Sequence, residues 1–233
     1  MNRVDRIDAL VAASKGVFGA LPIVGPLLAE AIGVFIPNQR IDRLEAFLLE
    51  IEKRFVPVEQ ATVEAAFKDP EFIDILEDSF VQAAKSLSQE RREYIASLVA
   101  NSLSEEELYR IEQKRLLALL GDLNDVEILI LRAKGELFLG KRQEFEMQHP
   151  ETARPLIPYS APETERNRQA LYDSYVNHLI ELGLIKPRYS KPWRGQDHKF
   201  DYTTGTLEAS GYQVTQLGTL LLRLIGLSSQ REA

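Results

Sequence analysis

The sequence predicts a mainly α-helical protein in two parts, a helical bundle over residues 1–121 and an α+β domain over residues 122–233. Three observations carry this. Apolar residues recur at three- and four-residue spacing through most of the chain. Strand-like text is confined to LGLIKPRY and SGYQV near the end. The charge is uneven: the whole chain carries −7, and residues 1–120 hold 14 basic and 20 acidic side chains, so the acidity belongs to the first half.

With 45% apolar and 27% charged residues, the composition is that of an ordinary globular protein. A chain of 233 residues can bury a core without disulfides or metals. It has no cysteine, which excludes thiol nucleophiles, thiolate metal sites, iron–sulfur clusters and disulfides. The opening MNRVDRIDALVAASKG carries acidic residues and does not read as a secretory signal, so a cytoplasmic location is expected.

Val4, Ile7, Leu10 and Val11 place an amphipathic helix over residues 2–15. The stretch from Gly16 to Pro37 is apolar with Glu30 as its only charge, and Pro22 and Pro26 should break it into two short helical pieces. This hairpin has three readings: a buried element of a soluble core, a homodimer interface, or an insertion into a membrane, which small residues would favour by letting two helices pack closely. Ile41, Leu44, Phe47, Leu48 and Ile51 then mark a helix that Val56-Pro57 ends.

Asp69 is suited to cap the next helix and Pro70 to occupy its first position. Phe72, Leu76, Phe80, Ala83 and Leu87 are its expected buried face. Ser88 should cap a helix that turns Tyr94, Ile95, Leu98, Val99 and Leu103 inward, and Ser104 with Glu107 forms a capping-box pattern for a third. Three short-linked helices imply an antiparallel bundle.

Asn124 with Glu127 gives a second capping box, with Leu123 and Ile128 as a hydrophobic staple, and this explains the acids Asp122, Asp125 and Glu127 as capping residues. Pro150, Pro155, Pro158 and Pro162 should keep residues 150–162 extended. From Ser160, Pro162 and Glu163 a long helix follows. Its stripes are Leu171, Tyr175, Leu179 and Leu182 beside Tyr172, Val176 and Ile180, and Gly183 stops it. Two strands and a final helix capped by Thr215 complete the order helix, strand, loop, strand, helix.

HLIELGLIKP, where a helix runs through an LG turn into a strand, and GYQVTQLGTLLL, a returning strand leading into a closing helix, resemble winged-helix proteins over about residues 124–227. The segment 135–162 departs from the compact helix-turn-helix spacing of such folds. The resemblance implies that the helix at about 162–182 is the one able to enter a major groove. There Arg166 and Asn177 are groove-compatible donors, beside the carboxylates Asp173 and Glu181.

The expected wing is more strongly basic. Lys186, Arg188, Lys191, Arg194 and Lys199 stand against Asp197 alone, with Tyr189 and Trp193 interleaved. Such a loop can hold phosphates and place Trp193 or an arginine in a minor groove, so double-stranded DNA is one expected partner. The alternatives are a protein partner or homo-oligomer, or a solvated hairpin, since winged helices also serve as protein-interaction modules.

The early Gly/Pro-rich stretch, ERREYIASLVANSL and LLALLGDLNDVEILILRAKG together resemble the abortive-infection alpha-like proteins of bacteria, which implies a phage-defence or toxin-like role; defence or stress response is the expected setting. No functional residue is carried over from that likeness.

His149, His178 and His198 show no metal-ligand spacing, and the chain contains no phosphate-binding glycine loop and no nucleophile elbow. The expectation is therefore a non-enzymatic protein without a cofactor, binding DNA or a protein partner. The alternative is a toxin-like effector that perturbs membranes through residues 16–37.

Overall fold

The computed structural model describes residues 40–104, 107–136, 139–155, 158, 160–192, 197, 199–201, 206–207 and 209–227. The expected helix at 2–15 and the apolar hairpin at 16–37 lie outside them. The described residues are mainly helical, with two small antiparallel ladders near the end. The chain divides into two compact units, Met1–Asp122 with Leu224–Gly226, and Leu123–Arg223 with Leu227–Ala233.

The first unit contains α1 (Ile41–Phe55), α2 (Gln60–Ala66), α3 (Pro70–Lys85), α4 (Gln89–Asn101), a 3-10 turn at Ser102–Ser104 and α5 (Glu107–Asp122). Its starts follow the chemistry of the caps. Asp69 accepts from the Glu71 amide, with Pro70 in the first turn, and Ser88 accepts from the Arg91 amide. Each side chain satisfies a donor that the helix itself leaves unpaired.

Leu44, Phe47, Leu48 and Ile51 from α1 are buried with Phe72, Leu76 and Phe80 from α3 and Ile95, Leu98 and Val99 from α4. Phe47 and Phe80 meet edge to face with ring centroids 5.6 Å apart, a pairing that adds about 1 kcal/mol to the burial itself. Arg43 Nη1 donates to the Ala84 carbonyl (3.2 Å), so the start of α1 lies beside the end of α3.

Two expectations fail in this unit. Leu87, assigned to the buried face, is 83% exposed, because α3 ends at Lys85 and the chain is no longer helical where the stripe would continue. Tyr94 is only half-buried. Of the expected Ser104–Glu107 box, Ser104 closes the 3-10 turn and Glu107 opens α5, with residues 105–106 outside the described set.

The second unit is organised around α6 (Asp125–Gly135), which buries Glu127, Ile128, Ile130, Leu131 and Ala133. Residues three and one apart are buried on several sides, as in a helix enclosed by its neighbours. Those neighbours are α7 (Leu139–Gln148), a 3-10 turn at Pro150–Thr152, α8 (Glu163–Glu181) and strand β4 (Gly211–Val214). The full capping box is present at Asn124 and Glu127, and Leu123 and Ile128 are both buried.

The segment 150–162 is not wholly extended. Pro150 begins a 3-10 turn, where its missing N–H costs nothing, and Thr152 is fully buried there. In α8 the buried side is Tyr172, Val176 and Leu179, whereas Leu171 is 56% exposed. The two expected stripes together were wider than the face that packs.

Gly183 ends α8 at φ +71°, donating to the Ile180 carbonyl while the Leu184 amide reaches the Leu179 carbonyl. This paired closure places glycine where other residues are strained. Strand β1 (Ile185–Arg188) follows and pairs antiparallel with β4, from Ile185 opposite Val214 to Arg188 opposite Gly211.

Between them, β2 (Phe200–Asp201) and β3 (Thr206–Leu207) form a further short ladder within the expected loop. Thr215 Oγ1 accepts from the Gly218 amide at the start of α9 (Gln216–Leu224). At Gly218 a Cβ would overlap the Leu184 carbonyl and Val214 Cγ1, so only glycine lets this helix approach the strands so closely.

Candidate nucleic-acid interface

The alternation of β1 sorts its side chains by face. Ile185 is buried and Pro187 partly so, while Lys186 and Arg188 are exposed. Their side chains therefore leave the same face of the ribbon, about 7 Å apart. Across the ladder Lys186 faces Gln213, which is exposed, and Arg188 faces Gly211, which has no side chain to cover it. The inner positions pair Ile185 with Val214 and Pro187 with Tyr212.

Ser210 holds the register at the open end, donating from both its amide (2.8 Å) and its hydroxyl (3.0 Å) to the Arg188 carbonyl. The Arg188 backbone is thus fixed while its guanidinium stays in solvent.

Lys191 and Lys199 are exposed on the chain that leaves β1 and enters β2. Trp193 and Arg194 lie outside the described residues. Between Lys186 and Lys199 the exposed cations Lys186, Arg188, Lys191 and Lys199 stand against one described acid, Asp197, and Asp201 follows in β2. Phe200 (45% exposed) and Leu207 (39% exposed) are register partners on the short ladder beyond them. The hairpin thus offers positive charge with an apolar pair beside it.

The exposed face of α8 has the opposite character. Ala170, Asp173, Ser174, Asn177, His178 and Glu181 line an open groove of about 520 Å³ along the helix. Asn177 belongs to this groove, but Arg166 does not: it is exposed near the start of α8, about 16 Å away along the axis. The groove brings two carboxylates together with one histidine, which disfavours a phosphate backbone there.

One pairing in the groove was not legible in the sequence. Glu127, buried on α6, accepts the Asn124 amide with Oε2 (2.8 Å) and holds His178 Nδ1 with Oε1 (2.8 Å). A carboxylate only accepts, so Nδ1 carries the proton and Nε2 is the remaining acceptor or donor of the ring. Capping accounts for only half of what Glu127 does. The signal was not available locally, since 51 residues separate the partners.

Among the described residues no group of three histidine or acidic side chains could hold a metal ion. Nor is any described helix long and apolar enough to cross a membrane. No family model, curated protein or solved structure matches this chain.

Proposed function

We propose that the second unit is a winged-helix module that grips duplex DNA through phosphate contacts from its basic hairpin. The observation that carries this reading is the shared exposed face of β1, where Lys186 and Arg188 stand side by side with Gly211 opposite Arg188. The order α6, α7, α8, β1, β4, α9 and the packing of α6 on α8 and β4 support the module. The hairpin holds the phosphates, and α8 plays the smaller part because Asp173 and Glu181 line its groove. The defence or stress setting rests on the sequence resemblance alone.

The test is titration into a fluorescent duplex of mixed sequence over a range of salt. Binding should weaken as salt rises, and Lys186→Ala with Arg188→Ala should lower the log–log salt slope by about 2, since each lost phosphate contact removes about 0.9. All sequences should weaken alike. Absence of binding even at low salt would reject the reading in favour of a protein partner, which the acidic groove of α8 would suit if that partner were basic.

A further inference from the structure

The α8 groove contains chemistry that the hairpin does not use. Ser174, Asn177, His178 and Glu181 stand three or four positions apart. That spacing brings helix side chains onto one face, with about 5–6 Å between their Cβ atoms. All four line the same open groove of about 520 Å³, together with Asp173. Asp173 is shared with Arg154, whose Nε lies 3.8 Å away, whereas Glu181 is exposed.

His178 is held in this groove in one orientation. Glu127 is 3% exposed and its carboxylate is fixed at both oxygens: Oε2 accepts the Asn124 amide (2.8 Å) and Oε1 accepts from His178 Nδ1 (2.8 Å). With the proton on Nδ1, the neutral imidazole keeps a lone pair on Nε2, the ring nitrogen left for the groove. The capping box alone needs only an acceptor at position 127, which glutamine would supply. A buried carboxylate set on an imidazole is the arrangement that proton transfer needs.

We propose that His178 is the general base of a hydrolytic site in this groove, acting on carboxylic esters that are neutral or cationic, with Glu127 as the residue that positions it. Nε2 takes a proton from water as the water oxygen bonds to the ester carbonyl carbon. The carbonyl electron pair moves onto its oxygen, for which the Ser174 hydroxyl and the Asn177 amide are the donors the groove offers. The pair then returns, the bond to the alcohol oxygen breaks, and the imidazolium hands its proton to that oxygen. One ester and one water thus give one acid and one alcohol.

Glu127 stabilises the imidazolium while it exists. The carboxylates of Glu181 and Asp173 repel an anionic substrate and the carboxylate product. The site uses none of the hairpin cations, so it stands or falls apart from the DNA reading.

The experiment is an assay of the full chain with the para-nitrophenyl esters of acetic acid, β-alanine and succinic acid, which are neutral, cationic and anionic. The first two should turn over, and the third should react about tenfold more slowly. His178→Gln should lower kcat/KM by about a hundredfold. Glu127→Gln should lower kcat by about tenfold with KM unchanged. In the imidazole nitrogen NMR spectrum the same variant should release His178 from its single tautomer, a change that a merely structural role would not couple to the rate.

Glu181→Lys, at an exposed position, should shift the preference toward the anionic ester, which keeps the test available if His178→Gln does not fold. His149→Gln should leave the rates unchanged. Hydrolysis no faster than in buffer would overturn the proposal, as would equal rates in the unaltered chain and His178→Gln. So would an equal loss in His149→Gln, which would mark the general reactivity of exposed imidazoles.

Discussion

The two units treat buried charge differently. In the first, Glu50 is 6% exposed and accepts from Lys53 (2.6 Å), Arg54 (2.7 Å) and Gln89 (3.3 Å). Arg92 donates to Gln89 and to the Ser86 carbonyl, and Arg91 to the Leu120 carbonyl. In the second, Glu127 is 3% exposed and shares a histidine with an open groove. Charges closed on themselves serve the fold. Charges left open to one side are available to a ligand, and the proposed function likewise falls on the second unit, on the exposed cations of β1.

The largest expected effect tests whether the first unit depends mainly on its apolar contacts. Phe80→Ala removes a fully buried ring and the edge of the Phe47 pair. It should cost about 3–5 kcal/mol in urea unfolding. A loss below about 1 kcal/mol would mean that the paired charges, not the aromatic contacts, hold this unit together.

Next is the backbone approach that shapes the second unit. Gly218→Ala places a methyl against the Leu184 carbonyl and Val214, and should cost about 1–3 kcal/mol by displacing α9 from the β1–β4 ribbon. Amide exchange at Thr215 should rise first, since its amide donates to the Leu184 carbonyl at 3.0 Å. Unchanged protection there would show that the ribbon is held by other contacts.

Glu127 separates capping from pairing within one side chain. Glutamine can still accept the Asn124 amide, so Glu127→Gln keeps the box and weakens only the contact with His178, for a loss of about 1 kcal/mol. Glu127→Ala removes both and should cost about twice that. If the two variants unfold alike in guanidinium, the histidine contact contributes nothing to the fold.

Residues that act within a few positions were legible in the sequence. The caps Asp69, Ser88, Asn124 with Glu127 and Thr215, and the stop at Gly183, each satisfy a local backbone need that a side chain announces. The helices α2 and α7 gave no such signal. α2 has seven residues and buries only Val63 and Ala66, and α7 buries Phe145 alone among its described side chains, too little to draw a stripe.

Exposure erred where periodicity was extended past its support, at Leu87 beyond the end of α3 and at Leu171 beside the packed face of α8. The β1 cations could be read as a local run of charge. The Glu127–His178 pair could not, because 51 residues separate its members and no spacing in the chain relates them.

The smallest expected effect concerns the closed charges of the first unit. Burial alone would raise the Glu50 carboxyl, but hydrogen bonds from Lys53 and Arg54, with their charges, outweigh it and hold it below the ordinary value. A carboxyl depressed in the folded state stabilises the fold above its unfolded pKa, and that contribution is lost as pH falls through the folded value. Stability should therefore decline on acidification, and Glu50→Gln should flatten that decline while lowering stability near neutral pH. Lys53 is 68% exposed, so solvent screens part of the pairing and the change should be modest. Urea midpoints measured from neutral to acid pH give the comparison. Parallel curves for the two proteins would mean that Glu50 is no better stabilised folded than unfolded, and that its closed network contributes geometry without a measurable charge effect.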